Sequence, residues 1–367
     1  MVGNLNEQKF NDDLMIESRD QELARQGFPR LAPILIFPDL TSMFCCFEKD
    51  ANKSKRACRS IGMIAVSLGG LALLGAAAAP LIERLEGPLP EVIGITLAIL
   101  GVAGVCVGTF GIFFARSKSE WLCARLMTER LRQFHFQTLA FRVPSVLAAM
   151  RGGEDLEEYV HRRKEWLAKF ELNYRGHLFG GLNQVLDDES EERFAIHTTE
   201  NYSPPSQADS DLQTIFEAYR LFRYEHQIGY ASVKLGEEST SQPRRQKSLL
   251  NAVSWISILV VFVLHLLAAL SMRPGWLEFV KNAWVHVIVL WAAITALAAR
   301  AFEEGLQPAR EVARYSGYRA AMIALERSFD QAQTPAEKLQ LMKITERVIY
   351  QEMRGFLTTN HEARFVL

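Results

Sequence analysis

The sequence contains none of the short motifs that mark the common enzyme classes. It has no glycine-rich phosphate-binding loop ending in Lys-Ser or Lys-Thr, no His-Glu-x-x-His and no Gly-x-Ser-x-Gly nucleophile elbow. Its five cysteines and eight histidines show no metal-ligand spacing. We therefore expect a protein that is not an enzyme, with no catalytic residue, no bound metal and no cofactor.

An excess of charge of either sign is also missing, because the net charge is −1 at pH 7. No basic stripe interleaved with aromatic residues lies outside the segments next to the apolar runs, so we expect no direct binding of nucleic acid. The N-terminus carries acidic residues and no early apolar core, so a cleavable signal peptide is not predicted.

Four uncharged apolar runs, arranged as two close pairs, are the strongest feature that is present. They cover residues 61–82, 92–115, 249–272 and 284–299. Because an α-helix rises 1.5 Å per residue, the first three are long enough to cross a hydrocarbon core of about 30 Å. The fourth is short, and we expect Phe279 and Val280 to extend it. The runs predict an all-α membrane protein whose four transmembrane helices form two hairpins.

Lysine and arginine residues beside the runs predict the orientation of the spans. Seventeen of them lie before the first and third runs or after the second and fourth. The two short loops that connect the runs within each pair hold only Arg84, Arg273 and Lys281. Short loops rich in lysine and arginine stay in the cytoplasm. We therefore expect both termini and the middle segment to be cytoplasmic.

The chain divides into five regions on this basis. Two hairpins, 61–115 and 249–299, alternate with a cytoplasmic N-terminal segment at 1–60 and two helical cytoplasmic regions at 116–248 and 300–367. Acidic and proline-containing stretches predict a mobile loop near residues 187–210. The segment from Pro29 to Pro38 is apolar and bounded by prolines, so it is either a strand or a segment at the membrane surface.

Two cytoplasmic helices have specific signals. Thr334, Pro335 and Glu337 form a capping box with proline at the first helical position, which predicts a helix that runs to about Gly355. We expect this helix to pack through two adjoining stripes, Leu341, Ile344 and Val348, and Met342, Ile349, Met353 and Phe356. The other helix covers residues 119–141 and continues the second span. Its inward residues are predicted to be Leu122, Leu126, Phe134 and Leu139.

Glycines recur on one face of the second span. Gly101, Gly104, Gly108 and Gly111 are spaced as i, i+3, i+7 and i+10, and this small-residue spacing lets helix backbones approach closely in lipid. The first span carries a matching set, Ala72, Gly75, Ala76 and Ala79. We interpret the stripe as a helix-packing seam; the alternative is a pore lined by glycine backbone.

Two histidines, His265 and His286, are the readily titratable residues inside the spans. Ionisable groups in lipid are costly and often functional, so both are candidates for a pore or gate. The alternative is a neutral histidine that hydrogen-bonds to water or backbone near the interface.

Two motifs flank the spans. They are Trp121-x-x-x-Arg125-x-x-x-Glu129-Arg130-Leu131-Arg132 and Tyr224-x-x-Gln227-x-x-Tyr230. In the first, the i, i+4 spacing of Arg125 and Glu129 brings the two side chains together on one face of a helix. The chain resembles the prokaryotic SLATT-like membrane modules, especially the four-helix membrane part found with TRPM-like LSDAT (SLOG) nucleotide-sensing domains. The resemblance covers the spans and their flanking helices. It departs from the family in one respect, because the 60 residues before the first span are too few for a SLOG sensor.

The resemblance implies a homo-oligomeric effector of the bacterial inner membrane, which forms a pore or disrupts the membrane in antiphage defence. Its trigger would be a nucleotide second messenger or a cytoplasmic sensor protein. Trp121, Arg125, Glu129, Arg132, Gln227 and Tyr230 become candidates for coupling the cytoplasmic helices to the spans. The alternative function is a membrane anchor that positions a cytoplasmic partner without conducting ions.

Overall fold

A computed structural model describes residues 11–113, 115–179, 194–236, 242–270 and 282–362, and every regular element within these ranges is helical. A 3-10 turn covers Asp12–Leu14, and a π-helical segment covers Arg220–Glu225. The helices are α1 (Ser18–Gly27), α2 (Ala32–Leu35), α3 (Pro38–Ala77), α4 (Ala79–Ile82), α5 (Leu89–Phe113), α6 (Ala115–Phe141), α7 (Val143–Met150), α8 (Glu154–Phe179), α9 (Ser210–Tyr219), α10 (His226–Leu235), α11 (Gln242–Leu270), α12 (Ala283–Leu306), α13 (Pro308–Gln331) and α14 (Pro335–Glu362).

The chain forms two compact units. The hydrophilic unit combines Met1–Lys53, Ser119–Ser239 and Ala313–Glu362, and the apolar unit combines Ser54–Lys118, Thr240–Val312 and the C-terminal residues. Three stretches that we predicted as separate cytoplasmic blocks thus contribute to one unit. Three helices, α3, α6 and α13, contribute residues to both units.

Four helices of the structure are long and apolar enough to cross a membrane, which confirms the prediction of four such segments. They are α3, α5, α11 and α12. Large apolar side chains cover the outside of the apolar unit; Val105 is 70% exposed and Trp255 is 68% exposed. A water-soluble surface rarely carries such a contiguous apolar area, whereas lipid favours it.

Two of the four helices differ from the predicted runs. The first run was expected to continue to Ile82, but α3 ends at Ala77 because Pro80 lacks an amide hydrogen and its ring clashes with the preceding turn. The fourth run was expected to be short, with an extension on its N-terminal side. Instead, α12 continues past Arg300 to Leu306, and residues 271–281 lie outside the described residues.

Close helix packing in the apolar unit involves the predicted glycine stripe. A Cβ atom added at Gly104 would lie 3.1 Å from the backbone nitrogen of Gly69, and one added at Gly101 would lie 3.7 Å from the Cβ of Ala72. The backbones of α5 and α3 are therefore in close contact at this point. The surroundings of Gly108 and Gly111 lie outside the part of the structure that is described.

Helix α12 contacts both α3 and α11 within the described part of the apolar unit. Trp291 on α12 donates its indole N–H to the carbonyl oxygen of Leu74 on α3, at 2.8 Å. Helix α11 packs against α12, and its Ser254 and Ser257 are buried. Small residues at such contacts let neighbouring helices approach each other closely.

A continuous core holds the hydrophilic unit together. The four predicted inward residues of α6, Leu122, Leu126, Phe134 and Leu139, are all at least 98% buried. Helix α14 begins at the predicted capping box: the amide of Glu337 donates to Thr334 Oγ1, and the amide of Thr334 donates to Glu337 Oε2.

Helix α14 extends beyond its predicted end at Gly355 to Glu362. A glycine within a helix costs only about 1 kcal/mol, and the next turn contributes the fully buried Leu357. Of the two predicted stripes, Met342, Ile349 and Met353 are buried, whereas Ile344 is 37% exposed.

The segment from Pro29 to Pro38 is neither a strand nor a surface segment of a membrane, so both predicted alternatives are wrong. Pro33 fits in the first turn of the short helix α2, where its missing amide hydrogen costs nothing. The carbonyl oxygens of Ile34 and Ile36 accept hydrogen bonds from the buried guanidinium of Arg163, at 2.9 and 3.2 Å. These bonds allow the segment to lie inside the core.

The predicted mobile loop at 187–210 is described only from Phe194 onward. Residues 198–209 are not helical, but Glu200 binds Ser145 Oγ at 2.7 Å and the Arg142 guanidinium at 3.1 Å. The amide of Ile196 donates to Gln137 Oε1 at 2.8 Å. This part of the segment is therefore held on α6 and α7 by hydrogen bonds.

The close approach at Gly104 predicts opposite effects of one substitution at two glycines of α5. Gly104→Ala should destabilise the protein by about 1 kcal/mol or more, because the backbone of Gly69 cannot move aside. Gly94→Ala meets nothing within 4 Å, so it should be neutral or stabilising through helix propensity. Thermal unfolding in detergent measures both; equal effects at the two sites would contradict the packing.

Candidate functional site

A group of polar and aromatic side chains lies in the hydrophilic unit, on helices α6, α10, α13 and α14. We call it the coupling cluster. It comprises Trp121, Arg125, Glu129 and Arg132 of α6, Gln227 and Tyr230 of α10, Arg314, Tyr315 and Tyr318 of α13, and Glu352 and Phe356 of α14. All six candidate coupling residues from the two flanking motifs belong to it.

Glu129 connects two arginines on one face of α6. Its carboxylate lies 2.6 Å from Arg125 Nη2 and 3.2 Å from Arg132 Nη1. Burial alone would raise the pKa of Glu129, but the charges of Arg125 and then Arg132 lower it to about 2. Because Glu129 contacts both guanidinium groups, Arg125 and Glu129 form part of a network and not an isolated pair.

Helices α13 and α14 bring a second acid and base to this network. Arg314 binds Glu352, and its guanidinium also lies 4.8 Å from the ring centroid of Phe356. Burial raises the pKa of Glu352, and the negative charge of Glu129 raises it further, although Arg314 acts in the opposite direction. The two carboxylates therefore interact electrostatically across the cluster.

Aromatic contacts join the same helices. Trp121 is 4% exposed, and its ring meets Phe356 edge-on with the centroids 6.0 Å apart. Tyr230 and Tyr315 lie edge-on at 5.9 Å, with their hydroxyl oxygens 3.4 Å apart. Edge-to-face pairs of this kind stabilise a helix contact in addition to the area that they bury.

Gln227 joins α10 to α13 through a buried hydrogen bond. Tyr318 donates its hydroxyl to Gln227 Oε1 at 2.8 Å. Burial raises the pKa of Tyr318 first, and the charge of Glu352 contributes in the same direction. Tyr318 therefore remains a protonated donor, and Gln227 is held as its acceptor.

The two candidate pore histidines lie elsewhere. His265 on α11 and His286 on α12 are both exposed on the apolar unit, and His265 Nδ1 lies 2.8 Å from the carbonyl oxygen of Val261. Within a single chain they do not face the interior of the helix packing. Any pore that they line would have to form between copies of the chain.

The pairing of two fully buried charges, Arg223 and Glu346, was missed by the sequence analysis. Arg223 Nε and Nη2 donate to the two oxygens of Glu346 at 2.8 and 2.9 Å, and both side chains are fully buried. Tyr219 donates its hydroxyl to Glu346 Oε1 at 2.9 Å, and the ring of Phe136 lies 4.5 Å from the guanidinium carbon. A signal existed, because Glu346 falls between Met342 and Ile349 on the buried face of α14.

Arg223 lies in the π-helical segment, which interrupts the α-helical course between α9 and α10. Such segments are rare and arise where the i→i−4 ladder is displaced by one residue. Here the segment places Arg223 and Tyr224 in the core, where Tyr224 and Thr345 share a hydrogen bond of 2.7 Å. The segment therefore faces α14 with two polar side chains that each hydrogen-bond to that helix.

A buried neutral histidine ties residues 194–200 to α6. His197 Nε2 lies 3.0 Å from the carbonyl oxygen of Phe134, so this nitrogen carries the proton. Arg142 Nε donates to His197 Nδ1 at 3.4 Å, which leaves no room for a second proton. Burial first, and then the charge of Arg142, lowers the pKa of His197 to about 3.

The described residues contain no group of three or more His, Cys, Asp or Glu side chains that could hold a metal ion. What the coupling cluster can do is mechanical and electrostatic, since it joins four helices through charges that respond to displacement or protonation.

Comparison of the chain with protein-family models, curated proteins and solved structures finds no match.

Removal of one partner of the Arg223–Glu346 pair should strongly destabilise the hydrophilic unit. Glu346→Gln leaves a buried guanidinium without its counter-charge, which costs about 3–5 kcal/mol. The matched control, Asp155→Asn, breaks the exposed pair with Arg151 and should change stability by less than about 0.5 kcal/mol. Chemical unfolding in detergent compares them, and similar small effects for both would contradict a structural role of the buried pair.

Acid should destabilise the protein partly through His197. Its pKa is lower in the folded protein than its ordinary value of 6.5, so the unfolded chain binds the proton more readily. The contribution of neutral His197 to the stability of the fold is therefore fully present above pH 6.5, and it is lost as the pH falls toward about 3. His197→Gln should flatten the dependence of the melting temperature on pH between 7 and 5. The exposed control His161→Gln should not, and an unchanged slope in His197→Gln would contradict this assignment.

Proposed function

We propose that the protein is a homo-oligomeric membrane effector that opens a path through, or disrupts, a bacterial inner membrane when its hydrophilic unit is triggered. The single observation that carries the proposal is the position of the coupling cluster. It binds together α6 and α13, two of the helices that contribute residues to both units.

The contacts of α14 support a transmitting role for the cluster. Helix α14 touches α6 through Phe356 and Trp121, and it touches α13 through Glu352 and Arg314. A displacement of α14 therefore acts on both helices at once. The Arg314–Glu352 contact is charged and directional, so it can be broken and formed again as a two-state switch requires.

The membrane arrangement in this proposal has two hairpins, α3 with α5 and α11 with α12. The distribution of lysine and arginine supports cytoplasmic termini and a cytoplasmic hydrophilic unit. The lipid bilayer is the first partner. The large exposed apolar surface of α5 and α11 leaves room for contacts between copies, which a path between subunits would need.

The trigger in this proposal is a nucleotide second messenger or a cytoplasmic sensor protein, in an antiphage defence system. The support is the resemblance of the two flanking motifs to SLATT-like modules, together with the meeting of all six motif residues in one cluster. In this proposal the trigger is sensed by the hydrophilic unit or by a separate protein.

A membrane anchor that positions a cytoplasmic partner is the second candidate. It is favoured by the exposed positions of His265 and His286, because neither side chain is buried in the helix packing of one chain. An anchor needs four spans and a stable hydrophilic unit but no conduction. Ion flux therefore separates the two functions.

The purified protein in liposomes should release ions when a panel of cyclic mono- and dinucleotides is added. At least one nucleotide should raise the flux above that of empty liposomes, and Glu352→Gln should abolish the rise without abolishing nucleotide binding. Glu352→Gln removes the charge that holds Arg314 and should therefore uncouple α13 from α14.

The control is Asp155→Asn, which changes an exposed acid of α8 and should conduct like the wild type. Flux equal to that of empty liposomes, with a nucleotide demonstrably bound, would favour the anchor. Equal flux in Glu352→Gln and the wild type would show that the effector works without the coupling cluster.

A further inference from the structure

Helix α12 packs against α3 in an antiparallel register. A Cβ atom added at Gly70 would lie 3.9 Å from the Cβ of Ala298. Trp291, which comes earlier on α12, binds the carbonyl oxygen of Leu74, which comes later on α3. Residues that follow Ala298 on α12 therefore lie beside residues that precede Gly70 on α3. These belong to the first apolar run, which begins at Ile61.

The register places charged side chains of α12 at the depth of apolar side chains of α3. Arg300 lies at the level of Leu68. Glu304 lies at the level of Ile64, which is 50% exposed, as expected of a surface that meets lipid. At 1.5 Å per residue, Arg300 is about 10 Å and Glu304 about 5 Å inside the start of the run. Ionisable side chains at such a depth face protein or water and not acyl chains.

The charges of this part of α12 are only partly balanced within the chain. Arg300 Nη1 lies 2.5 Å from Glu303 Oε2, yet the Arg300 side chain remains 55% exposed. Glu304 is exposed, and no side chain in the described ranges forms an ion pair with it. The two carboxylates therefore outnumber the one guanidinium, and Glu304 can accept a cation from outside the chain.

The same charges lie on an exposed face that runs along most of α12. His286, Ala293, Leu297, Arg300 and Glu304 are all exposed, and they follow one another at intervals of 7, 4, 3 and 4 residues. These intervals keep the five residues on one side of a helix, and we call them the α12 face. The small side chain of Ala293 lets another helix approach the middle of this face closely. The face thus combines a close-packing position with charges that need a polar partner.

We propose that the α12 face is the contact between neighbouring copies of the chain in the membrane, with Arg300 of one copy bound to Glu304 of the next. A second copy fits because the face itself supplies both signs of charge. The two residues are four positions apart, which is about 6 Å along the helix. Copies that share one orientation bring them within the reach of an arginine side chain.

Each Arg300 in this contact holds its own Glu303 and the Glu304 of a neighbouring copy, because a guanidinium has five N–H donors. The homo-oligomer is part of the proposed function, on which this contact rests. An oligomeric anchor would use the same contact without conducting ions, so the contact is tested separately from ion flux.

Charge exchange between two copies tests the contact. Glu304→Lys places a lysine opposite Arg300 of the next copy, and Arg300→Glu places a glutamate opposite Glu304. Two differently tagged forms of either variant, co-expressed and extracted into lipid nanodiscs, should co-purify about tenfold less than two tagged wild-type forms, because like charges repel. Tagged Glu304→Lys co-expressed with tagged Arg300→Glu should co-purify as the wild type does, since opposite charges then meet between the two variants.

Controls keep the outcome decisive. Glu91→Lys changes an exposed acid at the start of α5 and should leave co-purification unchanged. Thermal unfolding in detergent shows whether each variant is folded. Arg300→Gln or Glu304→Gln replaces a variant that is not, and each should lower the co-purification of its own two tagged forms.

The proposal is overturned if the folded variants associate as the wild type does, or if the mixed pair does not recover. With wild-type copies that do associate, either result would leave the homo-oligomeric effector intact and assign its contact to another surface. Wild-type copies that do not associate would contradict both the contact and the homo-oligomer.

Discussion

A charge that is buried away from water must meet an opposite charge, and in the hydrophilic unit Arg223 and Glu346 satisfy this constraint for each other. The pair fixes α14 against the π-helical segment. Farther along the same helix, Glu352 and Phe356 then meet Arg314 and Trp121. The coupling cluster therefore depends on a contact outside it, and loss of the pair would remove the acid and the aromatic ring that α14 contributes.

Local sequence patterns were sufficient to predict those helices whose position follows from a single physical rule. Long uncharged runs predict spans because lipid requires a self-satisfied backbone, and the capping box at Thr334 predicts the start of α14. The pairing of Arg223 with Glu346 could not be predicted in this way, because the two residues lie 123 positions apart and no local pattern connects them. The same limit explains why three hydrophilic blocks were predicted separately, and why Pro29 to Pro38 was placed in a strand or at the membrane surface.

The six motif residues were selected for their spacing and for the resemblance they carry, and the structure places all six in the hydrophilic unit. Arg125, Glu129 and Arg132 occur at successive turns of α6, so one helical face presents alternating charges, and Arg132 also pairs with Asp13 near the N-terminus. Such a face can be rearranged by a change of protonation or by a small displacement of a helix. We propose that this property makes it a switch between α14 and the helices shared with the apolar unit.

A double-mutant cycle between the two units tests the central claim, that the coupling cluster links the hydrophilic unit to the membrane helices. Glu352→Gln alters the cluster, and Gly104→Ala alters the contact of α5 with α3. The free energies of unfolding of both single variants and of the double variant are measured in the same lipid nanodiscs. We predict an interaction energy above about 0.5 kcal/mol, because coupled sites are not additive. Additivity within about 0.3 kcal/mol would contradict the claim.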